Sequence, residues 1–287
     1  MRYQIVCDSS SNVFAVPGVP YTTVPMKVVA GDKEYVDDPQ LDVQGMVTDL
    51  KNHKGKSGSS CPNVQEWLDA FGGADVVFGI TITKHLSGSY NAARQAADVY
   101  MEENPGKKAY IFDSLSTGPE MMMIVEKIRE LMEAGLDFEA VISQVLDYAN
   151  HNHTLFCLQS MTNLARNGRV SPAVAKIAGL LGIRVVGDVK GGEITPVHKP
   201  RGEKKALQHL VEMMGERGLR EGGLVRIAHC FALETAQTLA SMVRERFPIC
   251  RVLLEPTTAL CSFYAEEGGM IIGFEGAFNE HNDNSKF

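Results

Sequence analysis

The sequence predicts an α/β protein of two domains, with a parallel sheet in the first half and a mixed sheet in the second. Three observations carry this. Short apolar strand-like runs alternate with amphipathic segments through the first half, the pattern of a parallel sheet with crossover helices. The second half adds a hairpin signal, Lys190-Gly191-Gly192-Glu193, among further strands and helices. The length, 287 residues, accommodates two domains of about 150 residues each. The boundary is expected near residue 157, giving units 1–157 and 158–287.

In chain order, Tyr3 to Cys7 is an apolar strand that runs into the polar stretch Asp8-Ser9-Ser10-Ser11-Asn12, which suits a strand-end loop or a helix cap. A loop-rich, strand-like stretch follows to about Val36. Asn63 is a plausible N-cap for a helix to Ala70, with Val64, Trp67, Leu68 and Phe71 on one face. Val76 to Ile82 is a buried strand. Ser89 to Glu103 is a helix stopped by Asn104-Pro105-Gly106. Ala109 to Phe112 is the next strand.

Met121, Ile124, Val125, Ile128, Leu131 and Met132 then recur at three- and four-residue spacing in an amphipathic helix that Gly135 ends. Phe138 to Ala149 is helical. In the second half, Leu155–Leu158, two runs within Arg184–Pro196, Leu224–Cys230, Cys250–Glu255 and Met270–Phe274 are strands. Pro172–Leu181, Glu203–Arg217 and Leu233–Arg246 are helices.

Composition removes several function classes. With 44% hydrophobic and 22% charged residues the chain is neither disordered, collagenous nor a disulfide scaffold. Lys+Arg is 28 against 35 Asp+Glu, a net charge of −7, which disfavours non-specific nucleic-acid binding and anionic membrane surfaces. Val76–Ile82 is the best continuous apolar run, far short of the ~20 residues of a membrane helix, so no stable membrane insertion is expected. No export signal is recognisable in Met1–Asp8 and none of the six cysteines forms a Cys-x-x-Cys pair. Reduced cysteines and a cytoplasmic location are the expectation.

Common catalytic motifs fail. Gly55-Lys56-Ser57 resembles a P-loop end, but the pattern requires Gly at position 50, where Leu50 stands. Cys7 is followed by no Gly-x-Gly-x-x-Gly, and no Gly-x-Ser-x-Gly elbow exists. His151, His153 and Cys157 have a metal-like spacing without a further ligand cluster nearby. No cofactor or metal is expected.

Two serine-rich loops remain, Ser57-Gly58-Ser59-Ser60-Cys61-Pro62-Asn63 and His85-Leu86-Ser87-Gly88-Ser89-Tyr90-Asn91, each ahead of a helix. Free N–H groups, hydroxyls and the helix dipole favour an anion there, although N-capping alone would explain the serines. Leu164 to Ser171 places Arg166 and Arg169 in a turn, and His198 to Lys205 is a basic cluster suited either to solvation or to partner docking.

Taken in order, these segments resemble the DegV family of bacterial lipid-binding proteins. Asp8-Ser9-Ser10 is similar to the family's Asp-Ser-Thr/Ser opening, and Ser59-Ser60-Cys61-Pro62 to its Thr-Ser-x-Pro loop. Leu86-Ser87-Gly88-Ser89-Tyr90-Asn91-Ala92-Ala93 is similar to Leu-Ser-Gly-Thr-Tyr-x-x-Ala. Asp113-Ser114 and Leu164–Ser171 follow in place.

The resemblance implies a three-layer N-terminal domain around the parallel sheet, a mixed-sheet C-terminal domain, and a long-chain fatty acid buried between them. The protein would be a non-catalytic binding subunit that presents the carboxylate to a separate ATP-dependent fatty-acid kinase. It further implies head-group contacts from Ser59 or Ser60 and from the Ser87-Gly88-Ser89 loop, with Arg169 at or near the kinase face. Lys199 and Arg201 are assigned to docking on the basic cluster.

Where the family often has His-Thr-Gly-Pro-Gly, this chain has Ser262-Phe263-Tyr264-Ala265-Glu266-Glu267-Gly268-Gly269, which sets Tyr264 in the place of the histidine. A Tyr hydroxyl donates to a carboxylate but brings no positive charge, and Glu266 and Glu267 would repel one. Burying a ~16-carbon chain at ~0.8 kcal/mol per CH₂ gives ~12 kcal/mol gross, so no covalent or metal chemistry is needed to hold it. The competing expectations are a serine hydrolase acting on a small ester or amide, using Ser87 with His85 or His229 and Asp113, and a binder of a smaller anion.

Overall fold

The computed structural model describes residues 2–173 and 181–282. In the first half the order is β1 (Tyr3–Asp8), β2 (Tyr21–Val24), β3 (Lys27–Ala30), β4 (Lys33–Val36), α1 (Val43–Asn52), β5 (Ser57–Ser60), α2 (Val64–Phe71), β6 (Val76–Thr81), α3 (Ser89–Glu103), β7 (Lys108–Asp113), α4 (Pro119–Glu133) and α5 (Phe138–Ala149).

The order β2-β1-β6-β7 forms a sheet whose neighbours all pair in parallel. Its central strand β6 is a near-continuous apolar run, and β1 is largely so, because both faces are covered. Ile5, Cys7, Phe78 and Ile80 pack on Met121, Ile124, Val125 and Ile128 of α4 and on α5. Val6, Val77 and Ile111 pack on Trp67 and Phe71 of α2 and Ala93, Ala96 and Ala97 of α3. These are the three layers. At the start of α2 the Asn63 side chain accepts the Glu66 N–H while Glu66 accepts the Asn63 N–H, a capping box.

Two features differ from expectation. The strands β4-β3-β5 form a small separate antiparallel sheet. Residues Ser57–Ser60, expected to be a loop, are its strand β5, paired with Lys27–Ala30. A run of Ser and Gly carries no alternation of its own, and here the partner strand supplies the order. The helix α1 is likewise absent from the expectation; the Asp42 side chain caps it on the Gly45 N–H, and Met46 and Val47 are buried.

The second half runs β8 (Asn152–Leu158), α6 (Thr162–Arg166), β9 (Val185–Lys190), β10 (Glu193–His198), helix Glu203–Glu216, β11 (Leu224–His229), helix Leu233–Arg246, β12 (Arg251–Pro256), helix Ala259–Ala265 and β13 (Met270–Glu275). The sheet order is β10-β9-β8-β13-β11-β12, antiparallel throughout except for the β11–β12 pair. All of β8 belongs to this sheet. Of the expected helix Pro172–Leu181, residues 174–180 lie outside the described residues.

The period-2 alternation divides this second sheet. Leu155, Cys157, Val186, Ile272 and Phe274 pack on the helices Glu203–Glu216 and Leu233–Arg246. Phe156, Leu158, Val185 and Val189 face the other way, toward the first half. Gly187, paired with Phe156, is needed there: a Cβ on it would lie 2.2 Å from Phe156 Cζ.

Helix α4 lies between the two sheets. The Arg226 guanidinium of β11 donates to Glu126 of α4 at 2.6 Å and to Glu255 of β12 at 2.7 Å, tying the halves together. At the tip of the β9–β10 hairpin Gly192 has φ +86°, and a Cβ there would sit 2.2 Å from Thr83 Oγ1. Glycine therefore lets the hairpin close on the loop after β6.

Candidate functional site

A cavity lies where the carboxyl ends of the parallel strands face the second sheet. Open α/β sheets commonly place ligand sites at this end of the strands. Ile82 and Thr83 follow β6, and Ser116 and Thr117 follow β7. Opposite them stand Phe156, Leu158, Val189, Ile194 and Ile271 of the second sheet, and Met26 and the helix Ala259–Ala265 close the side with Leu260, Cys261 and Tyr264. The lining is mostly apolar, with a few polar groups among it, as in small-molecule sites.

At one part of the cavity four polar groups meet. Ser59 Oγ and Tyr264 Oη are 2.8 Å apart. Ser87, in the loop before α3, lines the same cavity, and its Oγ accepts the Ser89 N–H at 3.2 Å. The Arg169 guanidinium stacks over the Tyr264 ring at 5.7 Å and donates from Nε to the Leu86 carbonyl at 3.2 Å. Three hydroxyls, a cation and the amino end of the 15-residue helix α3 together form an arrangement suited to a single carboxylate. Arg169, expected at a docking face, is thus a cavity residue, and it brings the positive charge that Tyr264 lacks.

The other expected positions separate from this group. Ser60 is exposed on the face of β5 opposite Ser59, as the strand period requires. Ser89 is fully buried and donates its hydroxyl to Asp8 Oδ2 at 2.7 Å. Gly88 caps α3, and a Cβ on it would approach Cys61 Sγ to 3.3 Å. Lys199 and Arg201 are exposed beyond β10. Glu267 pairs with Lys51, and Glu266 accepts the Asn163 N–H.

Two buried carboxylates position the site, and of the two only Asp8 stands in a recognisable motif. Asp8 accepts the Ile82 N–H at 3.0 Å as well as Ser89 and Ser10, which anchors both ends of the segment that carries Ser87. Asp37 accepts the N–H groups of Ala259 and Leu260, at 2.8 and 3.2 Å, and the hydroxyls of Thr258 and Ser9. It caps from a distance the short helix that carries Tyr264. Burial pushes both carboxyls above their usual range, and these hydrogen bonds pull them back.

A hydrolytic relay is not assembled. Among the described residues no serine hydroxyl bonds a histidine ring. His85 Nδ1 faces Glu193 at 3.8 Å, His229 Nδ1 accepts the Ala232 N–H, and Asp113 accepts the N–H groups of Lys84 and Leu115. The His151, His153 and Cys157 spacing does not converge either. His151 Nδ1 meets the Asp147 carbonyl, His153 Nε2 meets the Ala277 carbonyl, and Cys157 points into the helix-packed core. No metal-ligand cluster occurs among the described residues, no helix among them is long and apolar enough to cross a membrane, and the six cysteines are unpaired.

Comparison with known proteins agrees with this architecture. The DegV family model matches residues 2–276. A DegV domain-containing protein of Streptococcus pneumoniae is 36% identical over 280 residues, covering 96% of this chain and 99% of the relative. A DegV family protein from Eubacterium eligens, solved loaded with heptadecanoic acid, superposes with a TM-score of 0.93 at 37% identity, over 96% of this chain and 99% of that one. The fatty acid kinase B3 protein of Streptococcus pneumoniae, solved loaded with linoleic acid, gives a TM-score of 0.93 at 36% identity with the same coverage. This chain belongs to the DegV family.

Proposed function

We propose that the protein holds one long-chain fatty acid in this cavity and presents its carboxylate to a separate ATP-dependent fatty-acid kinase. The observation that carries this is the cavity itself: apolar between two sheets, with Ser59, Ser87, Tyr264 and Arg169 gathered at one part of it. Two similar proteins were solved with C17 and C18 fatty acids bound, and one of them is by name a fatty-acid kinase protein. The chain's own contribution is binding and orientation; hydrocarbon burial supplies affinity and the polar group fixes which end is presented.

In this account the elements through α5 and the elements from β8 onward form the two walls, so the division falls before Asn152 and not at the expected residue 157; the location is cytoplasmic, and Lys199 and Arg201 help dock the kinase. No observation favours the hydrolase. Mass spectrometry of ligands extracted from the natively purified protein tests the proposal: a free long-chain fatty acid near one equivalent is expected. A protein that is empty and also fails to take up palmitate or oleate would overturn it.

A further inference from the structure

Away from the carboxylate group, the cavity contains a second cluster of polar side chains that holding a plain fatty acid does not require. Ser116 and Thr154 both line it, with Ser116 Oγ 2.6 Å from Thr154 Oγ1. Thr154 Oγ1 donates to Glu120 Oε2 at 2.5 Å. Glu120 is 1% exposed, and its other oxygen, Oε1, has no hydrogen-bond partner. The three residues come from three elements, the loop after β7, the first turn of α4 and the cavity face of β8; Ser116 and Thr154 stand in a largely apolar lining, and Glu120 lies behind Thr154.

We propose that Ser116 and Thr154, backed by Glu120, form a second polar station that takes a hydroxyl group carried on the acyl chain, so that a hydroxylated long-chain fatty acid is a preferred ligand. The inference rests on the fatty-acid-binding function above and specifies its substrate class. Thr154 spends its proton on Glu120, so Ser116 donates to Thr154, and the Ser116 oxygen keeps lone pairs for an incoming O–H. A hydrocarbon laid against this cluster leaves those lone pairs unsatisfied, which is costly in a buried site. A chain hydroxyl supplies the missing partner.

The geometry also indicates where on the chain the hydroxyl belongs. Thr154 and Leu158 share one face of β8 four positions apart, ~13 Å at the strand rise. Leu158 packs with Leu164 and Tyr264, at the carboxylate end. An extended chain of single bonds advances ~1.2 Å per bond, so the station lies about ten carbons further in, near the middle of an octadecanoic chain.

The test is binding of stearic acid and of stearic acid hydroxylated at carbon ten or carbon twelve to the delipidated full-length protein. At least one hydroxylated acid should bind about three- to tenfold more tightly than stearic acid, the worth of one net hydrogen bond. Thr154→Val and Ser116→Ala, each checked by thermal melt, should bring that ratio to about one or below. Stearic acid binding as well as or better than both hydroxylated acids would overturn the inference while leaving fatty-acid binding intact. So would a ratio unchanged in both variants. Failure of all three acids to bind would overturn both proposals.

Discussion

Glu120→Gln should change how stability depends on pH. The Glu120 carboxyl is pushed from its ordinary 4.5 to about 7, chiefly by burial, with Thr154 and Ser116 opposing the shift and Asp188 adding to it. The folded state therefore holds a proton that the unfolded state has released between those values. Stability from this group is fully present below about 4.5 and declines as pH rises to about 7. At ~1.4 kcal/mol per pKa unit the decline amounts to about 3 kcal/mol.

The glutamine keeps an oxygen for Thr154 to donate to and cannot ionise, so its stability should lack this slope. Asp8, Asp37 and Asp113 shift in the same direction, but they are common to both proteins, so the difference isolates Glu120. Urea unfolding of both proteins from pH ~5 to ~8 measures it. The curves should converge in acid and separate by about 3 kcal/mol above neutrality, the variant being the more stable. Curves that stay parallel across the range would mean that Glu120 titrates as a solvated carboxyl and that the buried cluster is wrongly described.

Tyr264→Phe removes one hydroxyl from the carboxylate group while keeping the ring on which Arg169 stacks. Fatty-acid affinity should fall by about 1.5–3 kcal/mol, with chain-length preference unchanged, as read by competition with acids of graded length. Arg169→Ala should weaken lipid retention itself, whereas Arg201→Ala should lower only acyl-phosphate formation with the kinase; lipid retained in full by Arg169→Ala would return Arg169 to a docking role. Gly187→Ala places a Cβ against the Phe156 ring and 2.5 Å from the Thr195 carbonyl oxygen. It should cost about 1–3 kcal/mol and reduce uptake of the longest acids, both measurable by melts with and without lipid.

The elements with a clear periodic signal were legible in the sequence. The spacing from Met121 to Met132 falls within α4, and Ser89–Glu103 and Phe138–Ala149 are helices over those same residues. The segments without a periodic signal were not. Ser57–Ser60 owes its strand conformation to pairing with β3. The helix Ala259–Ala265 is buried on nearly every side, so no polar face marks it, and its amino end is capped by Asp37 from more than 200 residues away in sequence.

The candidate site divides in the same way. Ser59, Ser87 and Tyr264 stand in motifs and could be named. Which serine of each pair reaches the cavity depends on strand parity at Ser59 and Ser60, and on the claim of Asp8 upon Ser89. Arg169 was named for docking from its turn alone; that its guanidinium also lies over the Tyr264 ring depends on packing between segments far apart in sequence. Glu120 and Thr154 give no local sign at all; only the packing of α4 against β8 makes them neighbours.

The most direct measurement is a crystal structure of the protein loaded with oleate. The account predicts an extended acyl chain between Ile82 and Leu260 on one side and Phe156 and Leu158 on the other, with carboxylate oxygens within about 3.2 Å of the Ser59 and Ser87 hydroxyls. A carboxylate bound away from Ser59, Ser87, Tyr264 and Arg169, or a lipid seated in the polar groove lined by Lys51, Arg166 and Arg184, would contradict it.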